Sequence, residues 1–401
     1  MADDWRKSVS FSDRLSATSE IAAAYKTANP GCQSSEASKF ARSKEETARK
    51  EALSLQEYHQ ICAKTVRLLV SSVESKKPIE DHHVEEHIFP NLPHTGAIIG
   101  KYIDAEHFAD GLFSEVFRAA DPDAQSSHGT PRVVALKMTT PGMERPPHDS
   151  EREVRILKGI STAQENNIIV LIETFRQAGG HLVLVFPYMP HGLDLLLRNR
   201  RLTPASRRTV LGGLFKGLAF LHSQGIIHRD IKPDNILLST LEGPAYIADF
   251  GIAWSSTDAG SEPADRKIHD VGTTSYRPPE LLFGSSSYNE KLDMWAAGCV
   301  AAQVVCLNRQ TLFDAGDVGS ELALIRSIFQ TLGTPDETVW PEAERLPDWG
   351  KMNFTKYPGK KWEDILPDVE AEGRDLVKQL VVFETADRLS AEDARKHPYV
   401  Q

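Results

Sequence analysis

The chain has 401 residues, and at roughly 150 residues per domain this length predicts two or three domains. Its 40% hydrophobic and 25% charged residues are ordinary for a globular protein and exclude collagen, coiled-coil and wholly disordered classes. A net charge of −10, from 46 basic and 56 acidic side chains, gives no basic field for nucleic acid or an anionic membrane. We expect no nucleic-acid ligand and no membrane binding.

Cysteine usage and the start of the chain indicate the compartment. The four cysteines form no C-x-x-C pair and no zinc-ligand spacing, which favours a reducing environment. The first residues are acidic and lack the apolar core of a secretory signal, and no run of about 18 apolar residues occurs. We expect a soluble protein of the nucleus, the cytoplasm or both.

Residues 1–73 predict a small module of three helices. The first helix ends at Asn29-Pro30-Gly31, because proline and glycine stop helix propagation. The third begins at a capping box formed by Ser54 and Glu57. An apolar face follows at spacings of three and four, through Leu55, Tyr58, Cys62, Val66 and Leu69.

A polar segment over residues 74–96 contains three prolines and no sustained period, as expected for a linker. Within it, His83-Val-Glu-Glu-His87 formally matches a metalloprotease signature. We discount this match because no further ligand and no catalytic-domain pattern surround it.

Residues 97–401 begin with short β-type runs, at 133–138 and 182–186, and continue with long helical patterns. Leucines at three- and four-residue spacing before His228 predict one helix with a continuous apolar face. Strands first and helices after predict an α+β protein, in which a small β-rich lobe joins a larger helical lobe across a cleft.

Three motifs carry the chemistry of phosphoryl transfer. Val134-Ala-Leu-Lys137, His228-Arg-Asp-Ile-Lys-Pro-Asp-Asn235 and Asp249-Phe-Gly251 follow one another in this order. A phosphoryl donor carries negative charges that need a lysine and metal ions, and the attacking hydroxyl needs a positioned carboxylate. The set resembles the protein kinases. The resemblance implies the bilobal kinase fold over residues 97–401, ATP and Mg²⁺ as cofactors, and a protein substrate.

The resemblance also implies roles for the charged residues. Lys137 would hold the α- and β-phosphates and pair with a helix glutamate, for which we favour Glu153 over Glu151. Asp249 and Asn235 would bind Mg²⁺ through oxygen atoms, which suit a hard cation.

A second group of residues would act on the substrate hydroxyl. Asp230 would orient it and accept its proton, and Lys232, two residues later, is typical of serine/threonine kinases. Thr273 is expected to bridge Asp230 and Lys232. Tyrosine specificity is therefore disfavoured.

The glycine-rich loop of the kinases is reduced here to Ala109, Gly111 and Ser114, so two of three glycines are missing. Each loss should cost about 1 kcal/mol, or roughly fivefold in affinity. Losing an electrostatic group at the reacting phosphate costs about 10²–10³-fold, and those groups are present. The comparison favours a working kinase over the alternative, a pseudokinase that acts as a scaffold or binding protein.

The resemblance further implies an adenine pocket between the lobes. Its residues would be Val116 and Ala135 above, Leu237 and Ala248 below, Phe186 at the back, and the hinge residues Tyr188 and Met189.

The C-terminal half is similar to the cyclin-dependent kinases. The segments that carry this resemblance are Tyr276-Arg-Pro-Pro-Glu280, Leu292-Asp-Met-Trp-Ala-Ala-Gly-Cys299, Leu332-Gly-Thr-Pro-Asp336 and Asp387-Arg-Leu-Ser390. It implies an ion pair between Glu280 and Arg388, and an Asp293 that anchors the catalytic loop.

Two departures from that family concern its regulators. Glu151 stands where cyclin-binding members have a cyclin-facing isoleucine, and a buried unpaired carboxylate is costly, so typical cyclin binding is disfavoured. Leu112 and Phe113 occupy the positions of the inhibitory phosphates, and neither carries a hydroxyl.

A third departure lies in the activation segment. Ile268 replaces the activating phosphothreonine, and Trp254 replaces the third arginine of its cluster, whereas Arg152 and Arg229 remain. We hypothesise that Asp265 or Asp270 partly substitutes for the phosphate, or that packing of Ile268 orders the segment. Regulation by phosphorylation at Ser255, Ser256, Thr257 or Ser261 stays an open alternative.

With these features missing, the chain resembles the fungal single-subunit kinases that activate cyclin-dependent kinases. The resemblance implies another cyclin-dependent kinase as the substrate, phosphorylated on its activation-loop threonine without a cyclin. Gly272 and Thr274 alter the pocket beside the phosphoacceptor, so strict proline-directed specificity is not expected.

The N-terminal module resembles the KIX-type domain of Mediator tail subunits in three segments, Asp4 to Phe11, Ala24 to Pro30, and Glu57-Tyr58. This resemblance implies contact of residues 1–73 with activation-domain helices or with Mediator. The alternative is a helical extension that packs on the kinase.

Overall fold

A computed structural model describes residues 11–28, 34–51, 58, 61–62, 65–66, 95–125, 131–139, 142, 144–160, 163–316 and 319–401. The predicted capping box at Ser54 and Glu57 and the His83 to His87 motif lie outside these residues. The chain divides into two compact units, Met1–Pro90 and Asn91–Gln401. The predicted linker over 74–96 stays a prediction, because most of it lies outside the described residues.

The first unit contains two helices of 18 residues each, α1 (Phe11–Ala28) and α2 (Ser34–Glu51), and the first ends just before the predicted Asn29-Pro30-Gly31 stop. The rings of Tyr25 and Phe40 stack between them with centroids 4.1 Å apart. Further helical residues follow in the region of the predicted third helix, namely Tyr58, Ile61, Cys62, Thr65 and Val66. Tyr58 is buried there and donates a hydrogen bond of 3.1 Å to Glu45.

The second unit begins with a five-stranded antiparallel sheet in the order β1-β2-β3-β5-β4. Its strands are β1 (Ile103–Asp110), β2 (Ser114–Gln125), β3 (Pro131–Thr139), β4 (Glu173–Arg176) and β5 (Leu182–Pro187). The helix α3 (Ser150–Gly159) lies between β3 and β4 in sequence. The strand register pairs Val116 with Lys137, and Ala135 with Phe186. Residues predicted for the nucleotide therefore lie side by side on neighbouring strands.

The remaining residues form the helical lobe. Its helices are α4 (Leu193–Arg198), α5 (Pro204–Ser223), α6 (Pro279–Leu282), α7 (Lys291–Cys306), α8 (Glu321–Leu332), α9 (Trp362–Ile365), α10 (Ala371–Leu380) and α11 (Ala391–Arg395). Helix α5 is the predicted leucine-rich helix. It begins where Thr203 Oγ1 accepts a hydrogen bond of 3.1 Å from the backbone N–H of Ser206, as expected for an N-cap threonine before proline.

Short strands frame the cleft side of the helical lobe. These are β6 (His191–Gly192), β7 (Ile226–Ile227), β8 (Ile236–Leu238), β9 (Ala245–Ile247) and β10 (Trp254–Ser255). The motif that starts at His228 connects β7 to β8, and the Asp249-Phe-Gly251 motif connects β9 to β10. The predicted α+β architecture, a β-rich lobe followed by a helical lobe, is confirmed. No helix in the described residues is long and apolar enough to span a membrane.

Candidate phosphotransfer site

Lys137 on β3 lies between two carboxylates. Its Nζ is 2.7 Å from Oε2 of Glu153 on α3 and 2.8 Å from Oδ1 of Asp249. The Glu153 side chain is 1% exposed, whereas that of Asp249 is 49% exposed. Glu151, the rival candidate, faces solvent and pairs with Arg176 on β4. The helical phase therefore makes Glu153, and not Glu151, the partner of Lys137.

Local backbone contacts hold this helix against the Asp249-Phe-Gly251 motif. Asp149 caps α3 by accepting a hydrogen bond of 2.9 Å from the N–H of Arg152. The N–H of Asp149 donates to the carbonyl of Gly251 at 3.0 Å. The N–H of Phe250 donates to Glu153 Oε1 at 3.2 Å. These hydrogen bonds therefore tie the start of α3 to the motif.

The ion pairs set the charge of the site. Lys137 holds the pKa of Asp249 well below its usual range. Burial by itself would lower the pKa of Lys137, but Asp249 and Glu153 together raise it above its ordinary value. Burial raises the pKa of Glu153, and the positive charge of Lys137 opposes this shift. The short distance between Lys137 Nζ and the Glu153 carboxylate favours the ionised form of Glu153. At neutral pH we take Lys137 as positive and Asp249 as negative.

The catalytic loop centres on Asp230. Thr273 donates its hydroxyl to Asp230 Oδ1 at 2.8 Å and its backbone N–H to the same oxygen at 3.0 Å. Lys232 Nζ lies 2.8 Å from Asp230 Oδ2 and donates to Thr273 Oγ1 at 2.9 Å. Asn235 Nδ2 donates to Asp230 Oδ2 at 3.0 Å. Thr273 thus bridges Asp230 and Lys232, as the resemblance implied.

Asp293 on α7 supports this loop from inside the lobe. Its two oxygens accept the backbone N–H groups of His228 at 2.8 Å and Arg229 at 2.9 Å. His222 lies 3.0 Å from the same carboxylate, which is fully buried. The predicted anchoring role of Asp293 is confirmed.

Asn235 and Asp249 fit the chemistry of a Mg²⁺ site. Because the amide nitrogen of Asn235 donates to Asp230, its amide oxygen is the atom that it can offer to a cation. Asp249 is ionised and partly exposed at the cleft. Carboxylate and amide oxygens are the protein ligands that Mg²⁺ prefers.

The residues predicted for adenine line the cleft side of both lobes. Phe186 and Ala248 are buried, and the others are half-buried: Val116, Ala135, Tyr188, Met189 and Leu237. Ala109 on β1 and Ser114 at the start of β2 are half-buried, and Gly111 in the turn between them is exposed. The N–H of Gly111 donates to the carbonyl of Ser114 at 2.7 Å, so the hairpin closes without the two missing glycines.

Two aromatic contacts at this hairpin were not predicted from the sequence. Phe108 meets the hinge ring of Tyr188 edge-on at 5.9 Å, and Phe113 meets His148 edge-on at 4.9 Å. Both aromatic residues flank the eroded glycine positions. Their hydrophobicity beside a phosphate-binding loop was the available signal, since such a loop is otherwise built from small residues.

Glu262 occupies the centre of the arginine cluster in the activation segment. Its carboxylate lies 3.1 Å from Arg229 and 3.8 Å from Arg152. The hypothesis that Asp265 or Asp270 substitutes for the phosphate is wrong. Asp265 is exposed near Arg266, and Asp270 lies 2.7 Å from Arg277.

The place of the third arginine is filled by a pair of residues. Trp254 donates its indole N–H to the carbonyl of Glu262 at 2.8 Å. Lys267, which is 5% exposed, lies over the Trp254 ring at 4.6 Å and donates to the carbonyl of Tyr288 at 2.8 Å. Ile268 packs against the neighbouring apolar cluster, as the second hypothesis expected. A buried lysine amine therefore lies over the ring of the tryptophan that replaces the third arginine.

The end of the activation segment is tied to the helical lobe. Glu280 on α6 and Arg388 form a buried ion pair, with distances of 2.9 and 3.1 Å between their two pairs of atoms. This pairing confirms the prediction.

Gly272 has a φ of +77°, and its carbonyl accepts a hydrogen bond of 3.0 Å from Arg277. A Cβ at this position would lie 2.6 Å from the carbonyl oxygen of Arg229, so glycine is required.

Comparison with known proteins agrees with this geometry. The family model for the protein kinase domain matches residues 102–400. Serine/threonine-protein kinase csk1 of Schizosaccharomyces pombe is 35% identical over 284 residues, which cover 70% of this chain and 88% of that protein. Cyclin-dependent kinase 20 of Danio rerio is 35% identical over 293 residues, covering 72% of this chain and 80% of that protein. Cyclin-dependent kinase B2-1 of Oryza sativa is 32% identical over 314 residues, covering 74% and 89%.

The chain therefore belongs to the protein kinase family. Within that family it is a serine/threonine kinase of the cyclin-dependent-kinase type, which uses ATP and Mg²⁺. The scaffold alternative is not favoured. The KIX-type resemblance of residues 1–73 gains no support from these matches.

The site explains how this activity proceeds. Bound ATP would supply the phosphoryl group, and Mg²⁺ held by Asn235 and Asp249 would neutralise the negative charge of the phosphates. Lys137 offers a fixed positive charge for the phosphates, held in place by Glu153. Asp230 presents a carboxylate oxygen to the substrate hydroxyl, and Lys232 places a second positive charge beside it. Positioning and electrostatics of this kind supply most of the acceleration in phosphoryl transfer.

Proposed function

We propose that this kinase phosphorylates the activation-segment threonine of another cyclin-dependent kinase, and that it does so without a cyclin and without being phosphorylated itself. The observation that carries the proposal is Glu262. A carboxylate from the chain's own segment lies against Arg229 and Arg152, the two arginines that the resemblance assigns to a phosphothreonine. The active arrangement of the catalytic loop then needs no added group.

Independence from cyclin is supported at α3. Glu151, at the expected cyclin-facing position, is half exposed and ion-paired with Arg176. A cyclin that buried this position would have to desolvate the pair, which costs several kcal/mol for each ion. The ion pair between Glu153 and Lys137 is formed here without a cyclin.

The proposed substrate rests on sequence resemblance and on the similarity to csk1 and to the cyclin-dependent kinases. Similarity to a serine/threonine kinase and to cyclin-dependent kinases supports a protein substrate that is phosphorylated on serine or threonine. Gly272, which has no side chain, and Thr274 alter the pocket beside the phosphoacceptor, and this change favours substrates without an obligatory proline. Action in the nucleus, the cytoplasm or both is proposed from the cysteine usage, which favours a reducing compartment.

Phosphate transfer by the purified chain tests the proposal. The chain is produced in bacteria, which provide no upstream kinase, and is mixed with Mg-ATP and a catalytically inactive cyclin-dependent kinase. Transfer that disappears with Asp230→Asn, and with a substrate whose activation-segment threonine is replaced by alanine, is the expected result. Transfer to other residues of that substrate, or transfer only after a cyclin is added, would contradict the proposal.

A role for residues 1–73 in contacting activation-domain helices or Mediator is a separate proposal. Its support is the sequence resemblance together with a helical pair, α1 and α2, that could present an apolar groove. Deletion of residues 1–95 should leave phosphate transfer unchanged and abolish binding of an amphipathic activation peptide. Loss of transfer on deletion would favour the helical-extension alternative.

A further inference from the structure

We infer that Arg155 is a positioning residue for phosphoryl transfer: its two-pronged ion pair with Asp258 holds α3 in the orientation that keeps Glu153 on Lys137. This inference rests on the kinase activity itself and not on the identity of the substrate.

The pair has the geometry of a fixed fork. Arg155 Nε lies 2.6 Å from Asp258 Oδ2, and Nη2 lies 3.1 Å from Oδ1. The Asp258 side chain is 9% exposed, although Arg155 is 49% exposed. The N–H of Gly260 also donates to Asp258 Oδ1 at 2.9 Å. Because the carboxylate is held from its own side, the guanidinium meets a preorganised partner.

The position of Arg155 on the helix explains its effect. Residues two apart in an α-helix point about 200° apart around the axis, so Arg155 and Glu153 lie on different faces. Glu153 faces the cleft, whereas Arg155 reaches the activation segment 103 residues later. A contact on each face resists rotation of the helix about its axis. Rotation is the motion that would separate Glu153 from Lys137.

Other side chains tie α3 to β4, through Glu151 with Arg176 and Lys158 with Thr174, but the other described ties to the activation segment lie nearer the start of the helix. The backbone bond between Asp149 and Gly251 acts at the N-cap of the helix, and Arg152 meets Glu262 at the longer distance of 3.8 Å. Among the described contacts between α3 and the activation segment, the Arg155 fork is the one farthest along the helix. It therefore restrains the helix at a point beyond the N-terminal contacts and on a different face from Glu153.

The surroundings of the pair decide which variants are informative. Asp149 Oδ2 lies 3.8 Å from Arg155 Nη2, so a negative charge at 155 would be repelled by Asp149 as well as by Asp258. Reversing both charges restores attraction to residue 258 but keeps the repulsion from Asp149. Partial and not complete recovery is therefore expected from a charge swap.

The test compares Arg155→Met, Arg155→Lys, and Arg155→Glu combined with Asp258→Arg in the full chain. Each is assayed with Mg-ATP and the best serine/threonine peptide from a degenerate library, so that failure to phosphorylate a cyclin-dependent kinase does not bear on the result. Arg395→Met is the matched control, since Arg395 forms an exposed pair with Glu392 within α11.

A positioning role predicts that Arg155→Met lowers kcat about five- to tenfold and changes the KM for ATP and for peptide less than about twofold. Arg155→Lys and the charge swap should each recover part of kcat, and Arg395→Met should match the wild type. An unchanged kcat in Arg155→Met would overturn the inference. A rise in peptide KM alone would also overturn it, because that result assigns Arg155 to substrate binding. The inference would also be overturned if kcat and the melting temperature decreased together in Arg155→Met and the charge swap did not restore kcat.

Discussion

The carboxylate of Glu262 lies 3.1 Å from the guanidinium of Arg229, and Arg229 is the residue that directly precedes the catalytic Asp230. Arg229 has a φ of +70° and also donates to Tyr288 at 3.1 Å. The backbone conformation of the catalytic loop is thereby coupled to a charge in the activation segment.

Replacement of Glu262 by glutamine should lower kcat/KM by about ten- to a hundredfold. The change leaves Arg229, whose side chain is fully buried, without its negative partner, and an unpaired buried charge is costly. Steady-state kinetics on one peptide substrate measure the loss. Asp265→Asn is the control, because Asp265 is 80% exposed and should have no effect. Equal losses in both variants would show that the charge of the segment matters and not its position at Arg229.

Thr273→Ala should lower kcat about tenfold, whereas Thr273→Ser should retain most of it. The hydroxyl joins Asp230 to Lys232, but Lys232 also contacts Asp230 directly at 2.8 Å, so the loss is limited. Rapid-quench measurement of the first turnover reports the chemical step. A serine variant as slow as the alanine variant would mean that the methyl group, and not the hydroxyl, carries the effect.

Arg388→Met should reduce the free energy of unfolding by about 3–5 kcal/mol, because it leaves Glu280 buried and unpaired. The Arg388 side chain is 0% exposed and that of Glu280 is 4% exposed. Urea denaturation followed by tryptophan fluorescence measures the change. Lys396→Met removes an exposed pair with Glu392 and should cost less than about 1 kcal/mol. A loss that small in Arg388→Met would contradict the structural role of the pair.

The contact between His148 and Phe113 should make nucleotide binding depend on pH. Burial lowers the pKa of His148, so the folded contact favours the neutral ring. A group whose pKa is lowered in this way stabilises the contact above its ordinary pKa of about 6.5 and loses that contribution as the pH falls below it.

We therefore expect the KM for ATP to rise between pH 7 and pH 5.5. His148→Phe keeps an aromatic partner for Phe113 without a titrating nitrogen, and it should flatten this part of the profile. Asp249 and Lys137 also act on His148 through their charges, so the comparison is made at constant ionic strength. An identical profile in the variant would assign the dependence to another group.

Prediction from the sequence worked best where chemistry requires particular residues at particular spacings. Lys137, Asp230, Asn235 and Asp249 were found because the motifs are short and contiguous. The choice between Glu153 and Glu151 followed from helical phase, since only one of two residues separated by about 200° can face the cleft.

Contacts within the activation segment were less accessible. Glu262 meets Arg229 across 33 residues of irregular backbone, and no hydrophobic period indicates its position. Its backbone carbonyl accepts a hydrogen bond from the Trp254 indole, a contact that depends on how the whole segment folds. The aspartates chosen from the sequence were plausible by charge alone, but both are exposed.

The aromatic residues at the glycine-rich hairpin show a related limit. The substitutions at Ala109 and Ser114 were visible in the sequence as losses. The compensating contacts of Phe108 and Phe113 depend on side-chain direction across the cleft, which residue type does not determine.

A carboxylate at the centre of the arginine cluster has a consequence for control. A phosphate ester can be removed by a phosphatase within seconds to minutes of signalling, whereas the carbon–carbon bonds that hold the Glu262 carboxylate cannot be hydrolysed. A kinase ordered in this way has no off switch at that position, and its output in the cell would be set by how much of the protein is made and by which substrates reach it.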